Sequence, residues 1–341
     1  MTTELPDTTP PDSPSGAAAV EPTFARRVRS RRRIRAEHIR DYGIIVFVLA
    51  ICVYFSFASP VFLTANNLLN IVYAQTPVGI AACAVTLTII AGNFDLSLGA
   101  ILALSEVLGA WVAVHWGIGW FFPVAIISGG VMGLINGLII TKLRVNAFLA
   151  TLATALAFVG IATGVTGGLL ITPTQSAFVF IGQNKAWNTI QYPNFIFLAV
   201  AVICQIVLTY TVFGRHLYGV GGNREGARLS GLNVDRIVIM TFVITGLACG
   251  LAGMIDASTT GSGSSQVGTT LALDAIAGVA LGGTSIFGGV GSVWRTVVGV
   301  MMLGIITNGF NLLGVADYWQ QIVRGCLIVG AVAVGSVIER R

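Results

Sequence analysis

Six side chains set among apolar residues carry most of the polar chemistry this sequence offers: Asn93, Asp95, Glu106, Asp274, Asn308 and Asn311. Polar and ionisable groups within long apolar runs are costly to place, and they commonly mark a solute's path across a membrane. Asn308 and Asn311 share a helical face at i, i+3 spacing, where they could hydrogen-bond a hydroxyl-rich ligand or a neighbouring helix. Asp95 or Ser97 can instead cap the helix that follows them. Asp256, Asp317 and Arg324 pose the same question, with both aspartates expected near the outer ends of their spans. Nothing in the chain points to catalysis. It contains no G-x-x-x-x-G-K-[ST] phosphate loop, no H-E-x-x-H and no G-x-S-x-G, and His38, His115 and His216 lie far apart. We therefore expect no enzymatic chemistry, no metal and no cofactor. The five cysteines all fall in apolar runs without metal-ligand spacing and read as packing residues.

The elements that must position these groups are membrane spans. Of the 341 residues 55% are hydrophobic and only 10% charged, with a mean hydropathy of +0.85, well outside the range of soluble domains. Ten apolar segments are long enough to be spans: 42–58, 74–91, 97–114, 121–140, 147–167, 195–213, 237–255, 271–287, 293–313 and 320–338. The fold class expected is an all-α polytopic membrane protein with about ten transmembrane helices. Residues 1–41 form a separate tail, disordered in its Pro/Ser/Thr-rich first half and basic from Arg26 to Arg40, and residues 42–341 form the transmembrane domain. The basic balance sets orientation and contact with anionic lipid; it does not point to nucleic acid. With the tail inside, ten spans place Lys142, Arg144, Arg295 and both termini on the cytoplasmic face, and 169–192 outside. Much of the glycine lies in apolar runs such as GGVMGLINGL from Gly129, the composition of closely packed helices. The glycines from Gly282 to Gly291 are too dense for an uninterrupted helix, so a break is expected there.

One interior stretch, Phe213 to Arg236, is too polar for a bilayer. Its four arginines and His216 favour the cytoplasmic side. Asn223 can cap a short helix, Glu225 suits its first turn, and Gly231 with Asn233 can end it, leaving Ala227, Leu229 and Leu232 for a partner's groove. Two segments share the pattern A-G-x-apolar-D-x-S, AGNFDLS from Ala91 and AGMIDAS from Ala252, which suggests inverted repeats.

The stretches AGNFDLSLGAILAL from Ala91, GGNREGARLSGLNVDR from Gly221, LALDAIAGVALGGTSIFGGVGSV from Leu271 and TNGFNLLGV from Thr307 resemble the permease subunits of bacterial ATP-binding-cassette importers for ribose and related monosaccharides. The resemblance extends through most of the chain after Gln75. It implies a bacterial inner-membrane location and a translocation path formed by the transmembrane domain. It also implies that a cytoplasmic coupling helix, carried here by Asn223, Glu225, Gly226, Ala227, Arg228, Ser230 and Gly231, docks into a separate ATPase. The further partners implied are an extracytoplasmic sugar-binding protein and a second permease subunit. Gly226, Arg295 and Asp256 depart from the family's pattern. An ion-gradient-driven secondary transporter is the alternative, since it too can combine inverted repeats with intramembrane carboxylates.

Overall fold

A computed structural model describes Val46 and residues 48–339, and side chains to 330 and at Ala333. The basic tail and the last two arginines lie outside the described residues. Each of the ten expected segments carries a helix. Among the described residues, six helices, fewer than the ten spans expected, have by themselves the length and composition to cross a membrane: α4 (Leu98–His115), α5 (Phe121–Lys142, with a 3-10 turn before it), α6 (Ala147–Thr166), α8 (Tyr192–Tyr210), α11 (Val234–Thr260) and α13 (Val293–Leu312). α2 (Ala65–Ala74) and α3 (Thr76–Ile90), bent by 53° at Gln75, pass the same test taken together and make a seventh if they form one span. Pro77 at the start of α3 supplies no N–H for the preceding turn, a sufficient cause of the bend. α1 (Val48–Ala58) and α12 (Leu271–Leu281) are shorter, and α14 (Asp317–Glu339) closes the bundle. Between them lie α7 (Phe180–Gln183), α9 (Val212–Gly222), α10 (Arg224–Leu229) and a two-stranded hairpin, β1 (Lys185–Ala186) with β2 (Ile190–Gln191).

α3 is apolar on every side and almost wholly buried, which makes it the bundle's central post. α11 and α5 are held together by glycine. A Cβ on Gly129 or Gly133 would meet the backbone of α11, and one on Gly250 would lie 2.5 Å from the Ala125 carbonyl oxygen. Without side chains between them the two backbones touch, and dispersion over that length replaces the hydrophobic drive that lipid does not provide. Lys142 at the end of α5 stands 3.9 Å from Asp235 at the start of α11, so these two termini share one end of the bundle. α9 and α10 lie at that end.

The structure departs from the expected spans in two places. The span expected over 271–287 stops as a helix at Leu281, at the break its glycines led us to expect, and the run that follows turns through Gly283, Gly288 and Gly289, all at positive φ. That break is enclosed by protein: the Gly289 N–H bonds the Ile90 carbonyl at 2.9 Å, using an acceptor left free at the end of α3. The second departure concerns the paired A-G-x-apolar-D-x-S segments. Residues 91–97 are an irregular break between α3 and α4, whereas 252–258 lie wholly inside α11. Gly92 takes φ 75° to end α3. Gly253 stays helical because its missing side chain lets α11 approach α4, where a Cβ would lie 2.5 Å from the Leu102 carbonyl oxygen. The two segments are thus not equivalent in backbone, and the inverted repeat suggested by them has no support from this pair.

Candidate functional site

The polar stretch folds as two helices. Thr211 caps α9, accepting the Gly214 N–H at 3.1 Å. Asn223 caps α10, accepting the Gly226 N–H at 2.8 Å. α10 ends on Ser230 and Gly231: the Leu232 N–H reaches the Ala227 carbonyl at 3.1 Å and the Gly231 N–H reaches Arg228 at 3.0 Å, with Gly231 at φ 83°. Ser230 Oγ also donates to the Gly226 carbonyl at 2.8 Å. Six helical residues are thereby fixed at both ends. Asn233, expected to help stop α10, instead caps α11 through the Arg236 N–H at 3.1 Å. Ala227 is buried and Leu232 packs on the core, so of the three side chains expected to face a partner only Leu229 is exposed, at 80%. Arg224, Glu225 and Arg228 are exposed around it. Gly226 has its own reason: an alanine Cβ there would come within 3.1 Å of the capping Asn223 side chain.

The six intramembrane candidates do not converge on one pocket. Asn93, Asp95 and Glu106 are enclosed. The Asn93 amide donates to the Ala91 carbonyl at 3.1 Å, within its own turn. Asp95 Oδ1 accepts both the N–H and the hydroxyl of Ser97, and Asn136 on α5 donates to Ser97 Oγ at 2.7 Å. Thr151 on α6 accepts the Leu96 N–H at 3.1 Å. The break after α3 is therefore tied by side chains to α5 and α6. The carboxylate holds the entry to α4, but through Ser97 alone, and Ser97's own hydroxyl is spent on Asp95 and Asn136 without capping the helix. Glu106 Oε1, midway along α4, accepts the Ser264 N–H at 2.9 Å, and Asp256 faces it from α11.

Asn308 and Asn311 serve the bundle. Asn308 and Asn67 exchange amide hydrogen bonds at 2.9 Å in each direction, joining α13 to α2, and Asn311 accepts from Gln320 on α14 at 2.8 Å. Asn311 is itself exposed, and Asp274 is half-buried among polar neighbours that stay accessible. Thr270 Oγ1 donates to it at 3.0 Å and Arg324 Nη1 stands 3.9 Å away, while Arg324 Nη2 donates to Thr307 at 3.0 Å. Sequence reading passed over Gln266, Thr269 and Thr270, which are exposed just before α12. The signal available was the polar run GSGSSQVGTT between two apolar segments, which reads as an ordinary loop until its depth is known.

The comparisons with known proteins agree with this architecture. A family model described as "Branched-chain amino acid transport system / permease component" matches residues 67–332. The ribose import permease protein RbsC of Escherichia coli (strain K12) is 35% identical over 316 residues, covering 91% of this chain and 98% of that protein. RbsC of Bacillus subtilis (strain 168) is 40% identical, covering 84% and 89%. The xylose transport system permease protein XylH of Escherichia coli (strain K12) is 31% identical, covering 90% and 94%. No solved structure matches.

Proposed function

The chain belongs to this family of transport-system permease components, and from that premise we propose that it is the membrane-spanning permease of an ATP-binding-cassette importer for a monosaccharide or related polyol. The observation that carries the sugar assignment is the near full-length match to relatives named for ribose and xylose. The permease does no bond-making chemistry. It provides the path, while a separate cytoplasmic ATPase supplies the energy and an external binding protein delivers the solute.

In this reading α10 is the docking helix. Its capped ends fix its geometry, Leu229 offers an apolar knob, and Glu225 and Arg228 give it paired charge for a complementary groove. The α9–α10 end is the cytoplasmic face of a bacterial inner membrane, with both termini on that side, as the arginines of this stretch and Lys142 favour. A second permease subunit completes the path. Asp274 stands beside that path, while Asn93, Asp95, Glu106, Asn308 and Asn311 frame it by holding the helices that form it.

The test is uptake into proteoliposomes containing the permease, its ATPase and its binding protein, over a panel of labelled pentoses, hexoses and polyols together with leucine and valine. ATP-dependent uptake of one sugar is expected, lost in Glu225→Ala/Arg228→Ala. Uptake of leucine or valine would replace the sugar by the solute in the family's description. Uptake driven by an ion gradient without ATP would contradict the importer assignment.

A further inference from the structure

After α11 ends, residues 261–270 turn back into the bundle without forming a helix. A Cβ on Gly263 would meet Ala110, the Ser264 N–H bonds Glu106, and Gly268 lies so close to Gly99 that a Cβ on either would strike the other's backbone. From Ala110 to Gly99 is about 16 Å along a helix, so the segment runs alongside α4 for roughly half the thickness of a hydrocarbon core. α12 sets the depth. It lies against α13 with Gly278 on Val300 and Gly282 on Arg295, so Asp274, about one turn before Gly278, stands level with Gly304 near the middle of α13.

At this depth the side chains of Gln266, Thr269 and Thr270 are exposed, and the Asp274 and Arg324 side chains stay 19% and 25% exposed. Exposed polar groups at mid-bilayer do not face hydrocarbon, since each would lose its hydrogen bonds to no compensation. They face water, or a polar solute passing through it. The Asp274 and Arg324 charges are set against each other, so the strip presents donors and acceptors with no net charge. That suits a neutral polyhydroxylated solute better than an ion.

We propose that Gln266, Thr269, Thr270 and the Asp274–Arg324 pair form a transit site that hydrogen-bonds the hydroxyls of the sugar on its way through the membrane. The inference rests on the sugar-import reading above and adds the residues that meet the solute. Adjacent hydroxyls donate to the carboxylate and accept from the guanidinium, while Gln266 and Thr269 supply neutral contacts that let the solute leave as readily as it enters.

The experiment uses the permease with its ATPase and binding protein in proteoliposomes. Thr269→Cys is made in a Cys52→Ala/Cys326→Ala background, the other three cysteines being buried, and is treated with a charged thiosulfonate. Leu198→Cys, on the outer face of α8, is the lipid-facing control. Thr269→Cys should react at least about tenfold faster than the control and be slowed by the transported sugar, and Gln266→Leu/Thr269→Val should lower the uptake rate about tenfold, the effect of two lost neutral hydrogen bonds at the low end of their range. Reaction no faster than the control means that the strip faces lipid or the second permease, and overturns the proposal. Fast reaction without protection, with uptake unchanged in the double variant, also overturns it. If the unmodified permease moves no sugar of the panel, the sugar-import reading falls and the transit site with it; uptake that ignores the strip variants sinks the transit site alone.

Discussion

Two irregular segments meet α4, residues 91–97 at its start and residues 261–270 along its side, and they are built differently. Residues 91–97 are closed by protein at their polar side chains: Asn93, Asp95 and Ser97 are buried, Asn136 donates to Ser97 and Thr151 accepts the Leu96 N–H. Residues 261–270 are held at their start, by the backbone pairing of Gly263 with Ile171, by Glu106 and by the glycine contact with α4, and expose Gln266, Thr269 and Thr270 further along. A bilayer permits irregular backbone where protein encloses it or where it lines a watery cavity. The first break uses one licence and the second uses the other. The difference teaches that an intramembrane carboxylate is not by itself a sign of the path: Asp95 locks the entry to α4, and Asp274 stands where a solute can reach.

Substitutions should separate the two. The largest effect is expected from Gly99→Val, which drives a branched side chain into the backbone of Gly268; the wet segment cannot then lie on α4, and a loss of about 3 kcal/mol or more, read as lost folded protein in membranes, should follow. Next is Asp95→Leu, which strands the buried N–H and hydroxyl of Ser97 at a cost of about 2–4 kcal/mol. Asp95→Asn keeps an acceptor for both and should lower the thermal midpoint much less; equal damage from both variants would mean that the charge, and not the acceptor, matters there. At the wet site Arg324→Leu leaves Asp274 without its cation but within reach of water, so a stability loss of only about 1–2 kcal/mol is expected alongside a larger loss of uptake. Reversing the pair, as Asp274→Arg/Arg324→Asp, should recover part of that uptake. The smallest effect belongs outside the membrane. Asn223→Ala removes the cap of α10 and should cost about 1 kcal/mol, showing in weaker ATPase docking measured by co-purification. Gly226→Ala should be close to neutral, because the gain in helix propensity of about 1 kcal/mol is offset by crowding of Asn223.

These contrasts mark how far the sequence could be read. The ends of α10 were legible at Asn223 and Gly231 because capping depends on residues a few positions apart. The helices of the apolar segments were legible for the same local reason. Asn233 was placed on the wrong helix because a capping side chain serves whichever N–H groups follow it, and the start of α11 was drawn three residues late at Ile237. AGNFDLS and AGMIDAS could not be told apart from their letters. The same glycine that turns the chain at Gly92 serves at Gly253 to admit a neighbouring helix, and only that neighbour decides which. The accessible side of the wet segment was hidden for a related reason. Its polarity shows in the sequence, but its depth is set by contacts with Gly99 and Ala110, far away in the chain.

Hydrogen–deuterium exchange on the permease in lipid nanodiscs tests the contrast most directly. The account expects amides 93–97 to be protected for hours, the Leu96 and Ser97 N–H groups being held by Thr151 and Asp95, while 266–270 exchange within minutes. Equal protection of both segments would contradict a wet second interruption, and with it the assignment of the solute's path to that side of α4.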